Sequence, residues 1–157
     1  MRQEICYTSC MSPCTIDLDD QATMHFWVTK HSQINRPNLV LIHGYGGVSR
    51  LQFLHQVRPL SKVFNLYMPD LLFFGDSHTK RTCQSDILQA KCVREGLKKL
   101  GIEKYNLVGL SYGGYVAYRM AENYREEVEK VVILSCWICY TEEQRKEFLK
   151  KLGRKIR

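Results

Sequence analysis

The sequence predicts an α/β protein: a mainly parallel sheet preceded by an antiparallel hairpin. Three observations lead there. Short β-like apolar runs alternate with stretches of helical spacing, and that order implies parallel strands covered on both faces by helices. The run Asn38 to His43 is apolar almost without a break, as expected of a strand buried on both sides. Glycine clusters follow two of the runs directly, at Gly44 to Gly47 and Gly109 to Gly114, and the ends of parallel strands are where such sheets bind ligands.

Thr15 to Leu18 and Met24 to Thr29 flank the polar turn Asp19-Asp20-Gln21 and predict the hairpin. After the buried strand Asn38 to His43, a helix is expected from Ser49 to Leu60, then a strand from Phe64 to Met68 stopped by Pro69. Leu71 to Thr82 reads as a loop. Ile87, Leu88, Cys92, Val93, Leu97 and Leu100 recur at helical spacing between Ser85 and Leu100, with Gly101 as the C-terminal cap. Tyr105 to Leu110 predicts a strand, Ser111 to Tyr124 a helix, and Val131 to Ser135 a sixth strand. Thr141-Glu142-Glu143-Gln144 fits a capping box that opens a last helix, with Phe148, Leu149, Leu152 and Ile156 on one stripe.

The chain has 157 residues and is 45% hydrophobic. That suits one domain with a buried core, and the absence of repeats and linkers makes residues 1–157 a single unit. Its longest nearly unbroken apolar run, Val131 to Tyr140, has ten residues, against the ~20 of a membrane span. Met1-Arg2-Gln3-Glu4 opens no signal-like apolar stretch, so a cytosolic location is expected. The net charge of +7 includes seven basic and three acidic residues between Thr141 and Arg157. Without interleaved aromatics to stack bases, that tail reads as a solvated helix face, and no nucleic-acid partner is expected.

The seven cysteines read as reduced thiols, and Cys6, Cys10, Cys14, Cys136 and Cys139 as buried ones. Cys136-Trp137-Ile138-Cys139 has C-x-x-C form, but no second pair and no later histidine supplies the rest of a zinc site. No metal and no cofactor is expected.

The sharpest motif is Gly109-Leu110-Ser111-Tyr112-Gly113, a G-x-S-x-G sequence at a strand-to-helix turn. A serine lifted on so tight a turn takes strained backbone angles, and glycines at 109 and 113 avoid the collisions that side chains there would make. The turn aims the helix N-terminus and the N–H of Tyr112 at any developing oxyanion. An ordinary helix-capping serine is the plainer alternative. The second motif is His43-Gly44-Tyr45-Gly46-Gly47. Its glycines, Gly44 and Gly46, let the backbone fold back so that the Tyr45 N–H serves as a second oxyanion donor. His43 reads as a structural residue bonded beneath the loop. A dinucleotide loop is the rival, but the third glycine's place is held by Ser49, and Asp70 lies 26 residues beyond Gly44. Asp70 is read as an acceptor of backbone hydrogen bonds. Leu71 to Phe74 reads as the lining of an apolar acyl pocket, with core packing the equal alternative for Phe73 and Phe74.

Together LIHGYGG (Leu41 to Gly47), YMPDLLFFGDS (Tyr67 to Ser77), GLSYGG (Gly109 to Gly114) and VEKVVILS (Val128 to Ser135) resemble the α/β-hydrolase superfamily, notably plant hydrolases of monoacylglycerol-lipase-like and epoxide-hydrolase-like type. The resemblance implies about six of that fold's eight strands, a core over residues 14–135 and the start of a cap region over 136–157. It implies Ser111 as nucleophile and a small-molecule ester or lipid-like substrate. Epoxide hydrolases of this fold carry Asp at the elbow, so Ser111 points to acyl chemistry.

The superfamily orders its triad as serine, acid, histidine. Here His25, His31, His43, His55 and His78 all precede Ser111, as does the last aspartate, Asp86. The resemblance therefore implies that the acid, the histidine and the last two strands are not in this chain. A serine without a base is a weak nucleophile, so weak activity or none is expected. The strand Val131 to Ser135 becomes an open sheet edge prone to self-association. A non-catalytic binding or regulatory short form is the alternative function, and a nucleotide-binding protein the third.

Overall fold

The computed structural model describes residues 10–138, 141–144, 146, 147 and 150. Strands β1 (Met11–Asp19) and β2 (Ala22–Thr29) form the expected hairpin and extend it at its open end. Asp19 Oδ1 accepts the N–H of Gln21 at 2.9 Å across the turn, a local bond that competes with continued strand. Pro13 is tolerated inside β1 because β1 is an outer strand with one neighbour.

Strand β3 (Asn38–Ile42) precedes helices α1 (Ser49–Gln52) and α2 (Leu54–Leu60). The single helix expected from Ser49 to Leu60 is broken at Phe53, whose φ of −107° and ψ of 16° leave the helical region. The break lets the Phe53 ring join Leu39, Leu41 and Met68 in the core while Gln52 reaches back to the loop after β3. Strand β4 (Asn65–Pro69) lies one residue later than read: Pro69 does not stop it but is its last residue, paired with Phe26 of β2. Inside the predicted loop lies a two-residue strand, β5 (His78–Thr79), paired with β2; so short a strand has no periodicity to detect.

Helix α3 (Asp86–Lys99) is capped as its sequence requires. Ser85 Oγ accepts the N–H of Leu88 at 3.1 Å. At the other end Ile102 N–H bonds Leu97 O and Gly101 N–H bonds Lys98 O, both at 2.9 Å, with Gly101 at φ +76°. This is a Schellman motif, and its left-handed position is the one that favours glycine. Strand β6 (Tyr105–Leu110), helix α4 (Tyr112–Asn123) and strand β7 (Val128–Leu134) complete the order. β7 starts at Val128 rather than Val131, because Val128 pairs with Tyr105 and a bulge carries the charged Glu129 and Lys130 that masked the strand in the sequence. Ser135 lies beyond its end at φ 50°.

The sheet order is β1-β2-β4-β3-β6-β7, with β5 on β2. β4, β3, β6 and β7 are mutually parallel, whereas β2 pairs antiparallel with β1, β4 and β5. The connection from β3 to β4 steps one way across the sheet and that from β6 to β7 the other. Right-handed crossovers then put α1 and α2 on one face and α4 on the opposite one. Leu39, Leu41, Leu66 and Met68 pack with Phe53 and Val57 on the first face; Val40, Ile42 and Leu107 pack with Val93, Val116 and Met120 on the second. The direction reverses between β3 and β6, and in open parallel sheets the C-terminal ends of the strands at such a point are where ligands bind.

β7 is the outer strand opposite β1, and Val132, Ile133 and Leu134 are 49%, 37% and 43% exposed. Beyond it the capping box is formed: Thr141 N–H bonds Gln144 Oε1 at 3.0 Å and Gln144 N–H bonds Thr141 Oγ1 at 3.2 Å. The stripe Phe148, Leu149, Leu152 and Ile156 lies outside the described residues, as do Cys6 and Cys139. The expected burial of thiols is not met among the described residues of the two groups, since Cys10, Cys14 and Cys136 are only half-buried; Cys92 is buried and Cys83 exposed. No helix among the described residues is long and apolar enough to cross a membrane.

Candidate active site

Ser111 sits between β6 and α4 with φ 53° and ψ −117°. A non-glycine residue held there stores about 1–3 kcal/mol of backbone strain. The surroundings enforce it: Ser111 N–H bonds Leu134 O at 2.8 Å, and Gly114 N–H bonds Ser111 O at 2.9 Å. The flanking glycines are sterically required. A Cβ on Gly109 would lie 2.3 Å from Gly113 O, and one on Gly113 would lie 2.3 Å from Ile42 O. Ser111 is exposed, and its Oγ has no hydrogen-bond partner among the described residues.

The loop after β3 folds over this turn. Gly47 N–H bonds Gly44 O at 3.2 Å, with Gly46 at φ +70° as a type II turn demands of its third residue. Gln52 Oε1 accepts the Gly44 N–H at 2.6 Å and pins the loop to α1. A Cβ on Gly44 would stand 3.2 Å from Ser111 Cβ, so only a small residue lets the loop come this close. The N–H groups of Tyr45 and Tyr112 have no acceptor among the described residues. The second is one of the unpaired donors at the start of α4, where the helix dipole favours negative charge.

His43 is fully buried and both ring nitrogens are occupied. Nε2 accepts the N–H of Leu71 at 2.9 Å, which leaves the proton on Nδ1 to bond Gly44 O at 2.7 Å. Burial pushes its pKa down, with Gly44 and Asp70 opposing the effect only in part. A neutral imidazole with its lone pair committed is a strut, not a base.

Asp70 is the other strut. Its Oδ1 accepts Ser49 N–H at 2.9 Å and Ser49 Oγ–H at 2.6 Å; its Oδ2 faces His25 Nδ1 at 3.2 Å and accepts Asp76 N–H at 3.3 Å. Burial alone raises a carboxyl's pKa, but the bonds from His25, Ser49 and Asp76 outweigh it and bring Asp70 down to about 2. His25, Asp70 and Asp76 lie close enough to share a cation, but these bonds use the Asp70 oxygens and account for the cluster without one. They also leave little of the carboxylate for a ribose, and α1 has only four residues, so the dinucleotide reading loses its support.

Leu71 and Leu72 are fully buried in the core. Gln89 holds the loop there, its amide bonding both the N–H and the O of Leu72 at 2.9 Å. The chain then turns through Phe73 at φ 74° and Gly75 at φ 56°. A Cβ on Gly75 would meet Asp70 Oδ2 at 2.3 Å. Phe74 is thereby set against His43, ring centroids 5.7 Å apart, and against Tyr45 at 5.3 Å.

No histidine hydrogen-bonds Ser111 among the described residues. His25 and His43 are committed to Asp70, Gly44 and Leu71, while His31, His55 and His78 are exposed. The roles of Gln52, Gln89, Ser49 and His25 were not legible in the sequence. Each acts on a residue many positions away, and no local motif marks it.

Residues 37–151 match the family model described as the α/β hydrolase fold. The chain is 34% identical over 96 residues to a soluble epoxide hydrolase of Corynebacterium sp. (strain C12), covering 61% of this chain and 33% of that protein. It is 30% identical over 112 residues to a 1-acylglycerol-3-phosphate O-acyltransferase of Arabidopsis thaliana, covering 68% and 27%. Among solved structures, a bacterial membrane phospholipase A superposes with a TM-score of 0.75 at 25% identity, covering 86% of this chain and 42% of that one. The epoxide hydrolase CorEH gives 0.70 at 29% identity, covering 80% and 42%. The chain thus spans about a third or less of these curated relatives and under half of these solved ones. On this match, and on a sheet order and strand–turn–helix geometry that agree with it, the chain belongs to the α/β-hydrolase fold family.

Proposed function

We propose that this chain supplies the nucleophile and the oxyanion donors of a serine hydrolase acting on carboxylic esters or related acyl compounds. The observation that carries the reading is the exposed Ser111, held at φ 53° where the Gly44 loop meets α4, with the N–H groups of Tyr45 and Tyr112 lacking acceptors among the described residues. In the proposed reaction Ser111 Oγ attacks the acyl carbon and its proton passes to a base. The carbonyl oxygen becomes an oxyanion facing the N–H groups of Tyr45 and Tyr112. The bond to the alcohol then breaks, and water releases the acid from the acyl-enzyme. Serine rather than aspartate at this position favours acyl substrates over epoxides, although relatives named epoxide hydrolases are among the matches.

The base is not one of this chain's histidines, since none is bonded to Ser111 among the described residues. Acylation by this chain alone is therefore slow. A fluorophosphonate probe and a p-nitrophenyl ester test both points. Slow labelling that disappears in Ser111→Ala is expected. No labelling at all overturns the nucleophile, and ester turnover at the rate of a complete serine hydrolase overturns the missing base.

A non-catalytic binding or regulatory form is the second reading. The apolar edge of β7, which has no further strand beside it among the described residues, favours it by offering a strand for pairing with a second copy. A cytosolic site of action belongs to the same proposal and is checked by cell fractionation.

A further inference from the structure

Three aromatic rings stand on segments that meet at Ser111: Tyr45 follows Gly44, whose Cβ position lies 3.2 Å from Ser111 Cβ, Tyr112 follows Ser111 itself, and Phe74 packs on Tyr45. Tyr45 and Phe74 meet in a T-shaped contact with centroids 5.3 Å apart, and Tyr45 and Tyr112 in another at 6.0 Å. The two outer rings are anchored. Phe74 is packed against the core and fixed by Phe74 N–H to Leu71 O at 3.0 Å and Ser77 N–H to Phe74 O at 3.2 Å. Tyr112 Oη–H bonds Gln84 O at 3.1 Å. Tyr45, between them, remains 73% exposed. An ordinary core aromatic would be covered; here an open ring is held in place by its neighbours on the loop that packs against Ser111.

We propose that Tyr45, Phe74 and Tyr112 form a selection surface for a flat aromatic group on the substrate. The inference rests on the reading of Ser111 as nucleophile and names the substrate class it serves: aryl esters, or esters of aromatic acids, in preference to alkyl ones. The physical basis is the ring quadrupole. A flat ring joining this set gains edge-to-face contact beyond the burial of area, whereas an alkyl chain gains burial alone.

Boronic acids test this without a base. Ser111 Oγ forms a B–O bond, its proton leaves to water, and the trigonal boron becomes a tetrahedral anion, visible by boron NMR. Phenylboronic and butylboronic acid are titrated into the 157-residue chain, with Ser111→Ala as control. The expected result is adducts that require Ser111, with the phenyl compound bound about tenfold more tightly, the value of one or two aromatic contacts. Phe74→Leu and Tyr45→Leu should each bring the ratio of the two affinities toward one. Tyr45 is exposed, so its variant tests the idea even if Phe74→Leu fails to fold. Ile34→Ala, at a fully exposed position of the loop before β3, should leave the ratio unchanged. Ser111-dependent adducts of equal affinity overturn the aromatic surface and leave the nucleophile standing. Absence of any Ser111-dependent adduct overturns the nucleophile, and the selection surface with it.

Discussion

Gly113 stands so close to the end of β3 that a Cβ there would lie 2.3 Å from the carbonyl oxygen of Ile42 and 2.5 Å from that of His43. This contact joins the two halves of the site, since it presses the first turn of α4 against the strand that carries the Tyr45 loop. Gly113→Ala must separate them, because the obstacles are backbone atoms. We expect a loss of about 3 kcal/mol or more in urea unfolding, with labelling of Ser111 abolished. Gly46→Ala is the contrast. Nothing lies within 4 Å of its Cβ position, but φ is +70°, so the substitution adds only backbone strain and costs about 1 kcal/mol of stability.

Ser111 trades stability for exposure. Glycine accepts left-handed backbone without strain, so Ser111→Gly should raise stability by about 1 kcal/mol, after part of the relief is offset by the greater freedom of glycine in the unfolded chain. A higher melting temperature with no labelling is the expected pair of results. An unchanged or lower temperature contradicts stored strain at this turn.

Two struts make the fold acid-sensitive in separate windows. His43 has a folded pKa below its ordinary 6.5, so its neutral form stabilises the fold above that pH, and the contribution declines as the pH falls and the unfolded chain takes up the proton first. Asp70 drops from 3.8 to about 2. Its contribution is fully present above pH 3.8 and is lost as the pH falls through about 2, which amounts to about 2 kcal/mol. Asp70→Asn should remove the second loss and enlarge the first, since the Asp70 charge no longer opposes the lowering of His43, as read from unfolding midpoints across a pH series.

The open edge of β7 should make the chain self-associate. Val132→Lys puts a charge on a strand residue that is 49% exposed and should shift the species toward monomer by light scattering across a concentration series. A native chain that stays monomeric throughout the series argues against edge pairing.

Much of the architecture was legible because local rules generate it. The continuous apolar run before His43, the Ser85 and Gly101 caps and the Thr141 capping box each follow from residues a few positions apart. Where the reading missed, the cause was long-range. Phe53 breaks its helix to fill the core between β3 and β4, β5 exists because β2 lies beside it, and Leu71 and Leu72 are claimed by the core.

The sequence by itself determined where a tight turn bearing a serine must fall, because only glycine tolerates such crowding and the spacing of Gly109 and Gly113 is written locally. The tertiary structure alone decided what surrounds that serine. Gln52, His43 and Asp70 bond partners that are remote in the chain or on other elements, and only the closed sheet brings them together. It also decided that the histidines are spent on struts or left at the surface. A lone pair can serve one partner at a time, and which partner it meets depends on packing that no stretch of sequence contains.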